Sequence, residues 1–143
     1  GVTIVYGSMY GNTELMAETA AEALAECGIK KISMLNASTT HLSYILAEIF
    51  THRGLIIAAP TYSDGLFPPV ATVVEAISTR KIKNREVALI GSHTWAQQAI
   101  KVMMPNIEAS EPLSIKQAPD ADDLEQCRRL AVALAEKLLA DHD

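Results

Sequence analysis

The sequence has 143 residues, of which 49% are apolar and 20% charged, a composition typical of one globular domain with a full core. Its formal net charge of −5 argues against a nucleic-acid binder, because such proteins need clustered Lys and Arg to displace counterions. No apolar run approaches the ~20 residues of a membrane-spanning helix, and no basic and apolar leader opens the chain. The first residue is Gly1 rather than Met and a strand pattern begins at once, so we expect residues 1–143 to be one domain excised from a longer protein.

Five apolar runs are typical of strands, and each is followed by a segment with the spacing of a helix. In chain order the strands are predicted at 2–6, 31–35, 55–59, 87–91 and 113–116. The first helix is predicted at 14–27, and the second contains the apolar stripe Leu42, Ile45, Leu46, Ile49 and Phe50. The third runs from Pro69 past Ile77, the fourth spans 96–104, and the last begins after Asp120 and reaches Leu138. The two cysteines, Cys27 and Cys127, fall on apolar helix faces as buried free thiols, which favours a reducing, cytoplasmic location.

This alternation predicts an α/β three-layer sandwich, in which a five-stranded parallel sheet carries helices on both faces. The runs at 2–6, 55–59 and 87–91 are apolar throughout and therefore central, whereas those at 31–35 and 113–116 alternate and therefore lie at edges. Both conditions are met by the strand order 2-1-3-4-5. In such a sheet ligands bind beyond the carboxyl ends of the strands, where the order reverses between the first and third strands.

Three loops follow the central strands at that edge, and the first of them has the composition of a phosphate-binding loop. Gly7 and Gly11 frame it, Ser8 and Thr13 add hydroxyls, and a helix follows whose N-terminal N–H groups attract anions. The loop is neither a Walker A motif nor GxGxxG, since the first basic residue of the chain is Lys30. The composition favours a single phosphate held without a cation. A plain βα turn with hydroxyl caps is the alternative.

The other two loops, 60–68 and 92–95, bring aromatic side chains to the same edge. Tyr62 and Trp95 offer flat surfaces for a heterocycle, with ordinary core packing as the alternative for Trp95, the only tryptophan of the chain. A phosphate-binding loop beside aromatic side chains that could stack on a ring suits flavin mononucleotide (FMN). No catalytic or metal-ligating residue is predicted, because Ser63 lacks a G-x-S-x-G frame and His93 has no metal partners.

These loops resemble the FMN-binding, flavodoxin-like domain of flavodiiron proteins (A-type flavoproteins), and the resemblance covers nearly the whole chain. It lies in the Met-Tyr pair of the first loop, the Pro-Thr-Tyr…Phe-Pro-Pro stretch of the second and the Trp of the third. It implies that the first loop holds the FMN phosphate and that the other two wrap the ring. The implied cofactor-binding residues are Ser8, Met9, Tyr10, Gly11, Asn12, Thr13, Pro60, Thr61, Tyr62, Ser63, Asp64, Gly65, Ser92, His93, Thr94 and Trp95.

The resemblance also implies a function in electron transport. Such a domain takes electrons from a reductase or rubredoxin-like donor and passes them to a diiron, metallo-β-lactamase-like domain in the same chain or in a dimer mate. The chain by itself is then the electron-transfer part of an oxidoreductase and is not expected to reduce oxygen or nitric oxide. Two alternatives are a free-standing flavodoxin-like carrier or small FMN reductase, and a flavin-free interaction module of the same fold. No nucleic acid or membrane partner is expected.

Overall fold

The structure is a computed structural model that describes residues 1–7, 11–59, 68–79, 86–91, 108–109 and 120–140. Strands and helices alternate along most of this part of the chain. Their bounds are β1 Val2–Tyr6, α1 Asn12–Glu26, β2 Ile32–Asn36, α2 Leu42–Thr51, β3 Gly54–Ala58, α3 Pro68–Thr79, β4 Glu86–Ile90, β5 Glu108–Ala109 and α4 Ala121–Ala140. Among the described residues, no helix combines the length and the apolar character needed to cross a bilayer.

The five strands form one parallel sheet in the order β2-β1-β3-β4-β5, as predicted. β1, β3 and β4 end together, because Tyr6 pairs with Ala58 and Ala58 with Ile90 across the ladder. The order reverses between β1 and β3, so the carboxyl ends of the three central strands define the edge where this topology places a ligand.

Helices cover both faces of the sheet, and alternate residues of each strand point to one face or the other. Val5 packs with α2 and α3, whereas Ile4 and Tyr6 pack with α1 and α4. Every residue of β1 and β3 is buried, while most of β2 is only half-buried. The predicted division into central strands and an edge strand is therefore confirmed for β1, β2, β3 and β4.

The structure places a strand beside β4 in a segment where the sequence analysis predicted none. β5 is described at Glu108–Ala109, two residues that pair with Glu86 and Val87. Two residues give no alternating pattern from which a strand could be predicted. The strand predicted at 113–116 and the helix predicted at 96–104 lie outside the described residues.

Two side-chain predictions on the helices were wrong. Phe50 does not belong to the buried stripe of α2, because 54% of its surface is exposed, although Ile45, Leu46 and Ile49 are buried as expected. Cys27 lies just past α1 as its C-cap and is only half-buried. Cys127 is buried, and burial raises the pKa of its thiol to about 11.

Candidate functional site

The carboxyl ends of the three central strands lie side by side. The N–H of Gly7 donates to the carbonyl of Ala58 (3.0 Å), and the N–H of Ala59 donates to the carbonyl of Ile90 (3.0 Å). These bonds carry the ladder one residue past the strands, so the three loops leave the sheet from adjacent positions. Gly91, which the sequence assigned to the end of the fourth strand, has φ +146°, a backbone conformation that side chains disfavour.

The first loop ends at Gly11 and passes directly into α1. Gly11 has φ +83° in the left-handed region, which explains glycine at this position. It is the N-cap of α1 and supplies no side-chain hydrogen bond to the helix. The first-turn N–H groups of α1 thus have no side-chain cap at this position, and their partial positive charge favours an anion at this end of the helix.

Thr13 lies in the first turn of α1, and only 3% of its surface is exposed. No hydrogen bond joins its hydroxyl to another of the residues that the structure describes. A buried hydroxyl without a partner is unfavourable, so one directed to a ligand is a better explanation than a structural role. Together with the helix end and the open space around Gly11, where a Cβ would meet no atom within 4 Å, this hydroxyl fits a phosphate group.

A second side-chain pair lies beside this helix end. The hydroxyl of Tyr6, the last residue of β1, donates to Oε1 of Glu14 at 3.4 Å, a long bond. Tyr6 is 7% exposed, whereas Glu14 is exposed. Burial and, next, the Glu14 carboxylate raise the pKa of Tyr6, so its hydroxyl stays protonated and remains a donor at neutral pH. The sequence analysis missed this pair, for which the sole signal was a tyrosine ending a strand eight residues before an acidic first-turn residue.

Of the predicted cofactor-binding residues, the structure describes Gly11, the backbone of Asn12, and Thr13. It brings these three to the end of α1 that borders the switch point. The remainder of the first loop and all the predicted residues of the second and third loops lie outside the described residues. Their roles stay predictions, although the strands from which those loops depart are in the predicted places.

The chain belongs to the flavodoxin family, since the model of that family matches residues 4–134. FMN is the cofactor of flavodoxin domains, so the cofactor expected from the sequence is confirmed by the family.

The chain is also homologous to proteins of the predicted flavodiiron class. It is 29% identical over 133 residues to the anaerobic nitric oxide reductase flavorubredoxin of Escherichia coli O1:K1 / APEC, a match that covers 89% of this chain and 28% of that protein. Among solved structures, the rubredoxin oxygen:oxidoreductase of Desulfovibrio gigas matches with a TM-score of 0.89 and 26% identity, over 97% of this chain and 36% of that one. The flavodiiron core of Flv1 from Synechocystis sp. PCC6803 shares the fold, with a TM-score of 0.87 and 20% identity over 98% of this chain and 36% of that one.

Proposed function

We propose that this chain is an FMN-binding electron-transfer domain that serves the diiron, metallo-β-lactamase-like domain of a flavodiiron protein. The observation that carries the FMN part is the end of α1 at the switch point of the sheet. There the N-cap Gly11 supplies no side-chain cap, and the buried hydroxyl of Thr13 has no hydrogen-bond partner among the residues that the structure describes. The homology to flavorubredoxin and to rubredoxin oxygen:oxidoreductase supports the electron-transfer part.

In this proposal the first loop, from Ser8 to Thr13, holds the phosphate. The Thr13 hydroxyl and the first-turn N–H groups of α1 donate hydrogen bonds to its oxygens, and the helix end supplies partial positive charge. Residues 60–65 and 92–95 would wrap the two sides of the flavin ring, as the resemblance implies. FMN, when bound, supplies the redox chemistry, while the protein binds and orients the cofactor and tunes its potential.

The partners follow from the relatives and are proposals for this chain. The chain spans about 28% of the length of the flavorubredoxin that it matches, so that protein contains much more than the part shared here. A flavodiiron context supplies a diiron domain as electron acceptor and a reductase or rubredoxin-like protein as donor. The chain alone is expected to carry electrons without reducing oxygen or nitric oxide. Its cytoplasmic location stays a prediction.

Purification and flavin titration test the FMN part of the proposal. The purified chain should show a flavin absorbance spectrum, and after removal of the cofactor it should quench the fluorescence of added FMN in a one-to-one titration. A colourless protein that leaves the fluorescence of FMN unchanged would contradict FMN binding and favour a flavin-free interaction module.

Gas consumption tests whether the reduction of nitric oxide requires the diiron domain. The FMN-loaded chain, reduced anaerobically and mixed with nitric oxide, is expected to consume the gas no faster than free reduced FMN at the same concentration. Rapid consumption by the chain alone would contradict the proposed need for a diiron domain. The complete reading frame decides the context, because codons for a metallo-β-lactamase-like domain joined to this one support a flavodiiron protein, and a frame limited to this domain favours a free-standing carrier.

A further inference from the structure

Glu14 places a negative charge at the end of α1 that the proposed function assigns to a phosphate. It is the third residue of the helix after the N-cap Gly11. A carboxylate at this position interacts favourably with the helix dipole and is able to reach back to the N-terminal N–H groups. A phosphate uses the same N–H groups and carries the same sign of charge. Glu14 and the phosphate are therefore competitors for one helix end.

Tyr6 restrains one of these competitors. Its ring is fixed among the buried residues between the sheet, α1 and α4, and its hydroxyl reaches the Glu14 carboxylate from the end of β1. Burial of the ring fixes the position of the hydroxyl, whereas Glu14 is exposed and has no such constraint from packing. The hydrogen bond thus favours the arrangement in which the carboxylate points towards Tyr6.

We propose that Tyr6 is a positioning residue that draws the Glu14 carboxylate towards the end of β1 and away from the phosphate-binding N–H groups, and that the pair sets the preference of this domain for FMN over riboflavin. The inference rests on the proposed FMN function. Without phosphate, Glu14 stabilises the end of α1. With phosphate bound, Glu14 opposes the ligand, and Tyr6 limits that opposition.

Four proteins test this proposal: the wild-type chain, Glu14→Gln, Tyr6→Phe and the double variant. The flavin-free form of each is titrated with FMN and with riboflavin, which has the same ring and no phosphate. Glu14→Gln is expected to bind FMN about two- to tenfold more tightly, with its affinity for riboflavin unchanged, and to unfold at a lower urea concentration when flavin-free. Tyr6→Phe is expected to bind FMN about two- to fivefold more weakly.

The double variant shows whether Tyr6 acts through Glu14. Its FMN affinity is expected to equal that of Glu14→Gln, because removal of the carboxylate leaves Tyr6 nothing to position. Glu18→Gln is the matched control: Glu18 is exposed on the same helix one turn farther on, so its loss should change the FMN affinity less than the loss of Glu14 does.

Four results would overturn the proposal. An equal loss from Tyr6→Phe with and without Glu14 would show that Tyr6 acts independently, and equal changes for riboflavin and FMN would show a general structural effect. Unchanged FMN affinity in Glu14→Gln would refute the inference alone, provided that the wild-type chain binds FMN. If the wild-type chain binds neither flavin, the proposed function fails and takes this inference with it. Should Tyr6→Phe fail to fold, the comparison of Glu14→Gln with Glu18→Gln decides.

Discussion

Replacement of Thr13 by valine tests the phosphate site most directly, because the two effects expected from it have opposite signs. Valine keeps the branched shape and exchanges the hydroxyl for a methyl group. The hydroxyl is almost fully removed from water and has no partner among the described residues, and such a group costs about 1–3 kcal/mol. The flavin-free Thr13→Val protein is therefore expected to be about 1 kcal/mol more stable than the wild type, which raises Tm by roughly 3 °C.

The affinity for FMN should change in the opposite direction. A hydroxyl that donates to a charged phosphate contributes about 1.5–3 kcal/mol, so its loss should weaken FMN binding by roughly 10- to 100-fold. Riboflavin has no phosphate, and its affinity should not change. Urea unfolding of the flavin-free protein and fluorescence titration with both flavins measure these quantities. Thr19→Val is the matched control, since the Thr19 hydroxyl donates to the carbonyl of Leu15 (2.8 Å) on the same helix and lies away from the loop.

Two outcomes would refute this reasoning. If Thr13→Val binds FMN as tightly as the wild type does, the hydroxyl is not directed at the phosphate. If the flavin-free variant is less stable than the wild type by 1 kcal/mol or more, the hydroxyl has a structural partner, and its burial does not mark a ligand site.

Three further predictions concern packing, pH and salt. Gly54→Ala should cost about 2–3 kcal/mol without altering FMN affinity, because a Cβ there would lie 2.8 Å from Cδ1 of Leu138. Gly28→Ala, where φ is +96° but a Cβ would meet no atom within 4 Å, should cost about 1 kcal/mol. Equal midpoints of the two variants in urea unfolding would refute the contrast. Burial lowers the pKa of His52, so the unfolded chain binds more protons than the folded one, and stability should fall as the pH drops below about 6.5. His52→Gln should reduce this pH dependence of the free energy of unfolding, measured by urea unfolding at several pH values. The same dependence in the variant as in the wild type would contradict the prediction. FMN affinity should stay level or rise with ionic strength in fluorescence titrations, because the first-turn carboxylate Glu14 repels the phosphate; a steep fall would reveal an unrecognised cation.

The sheet was predictable because its strands satisfy a simple physical rule. β1, β3 and β4 have helices on both faces, so nearly every residue in them is apolar. β2 is mostly half-buried and contains the polar residues Ser33 and Asn36, because it lies at an edge. That pattern separates the three central strands from the edge strand β2, and the strand order 2-1-3-4 satisfies it. The described part of β5 was not predicted, because Glu108 and Ala109 are identified as strand by their pairing with β4 and not by a sequence pattern.

For the candidate site, the sequence predicted which loop contains it but not the contacts that its side chains make. The sequence places Gly11 and Thr13 after the first strand, and the structure brings both to the N-terminus of α1 as expected. The sequence alone does not show that Thr13 is buried without a hydrogen-bond partner among the described residues, or that Tyr6 contacts Glu14. Those facts depend on how β1 and α1 pack. The prediction for Phe50 was wrong for a related reason: an apolar stripe in the sequence does not show where neighbouring elements stop covering the helix.

The proposed phosphate site has no basic residue in its own segment of the chain, since the first Lys or Arg is Lys30. In the proposed function the helix end and the hydroxyls would therefore bind the phosphate without neutralising its charge. Such a site gains affinity through directed hydrogen bonds to oxygens, and therefore depends on the exact backbone conformation at Gly11 and on the direction of the Thr13 hydroxyl. It also leaves a nearby carboxylate able to oppose the ligand. Control of Glu14 by Tyr6 is thus most consequential in a loop of this kind, because an Arg or Lys would have masked the charge that Tyr6 restrains.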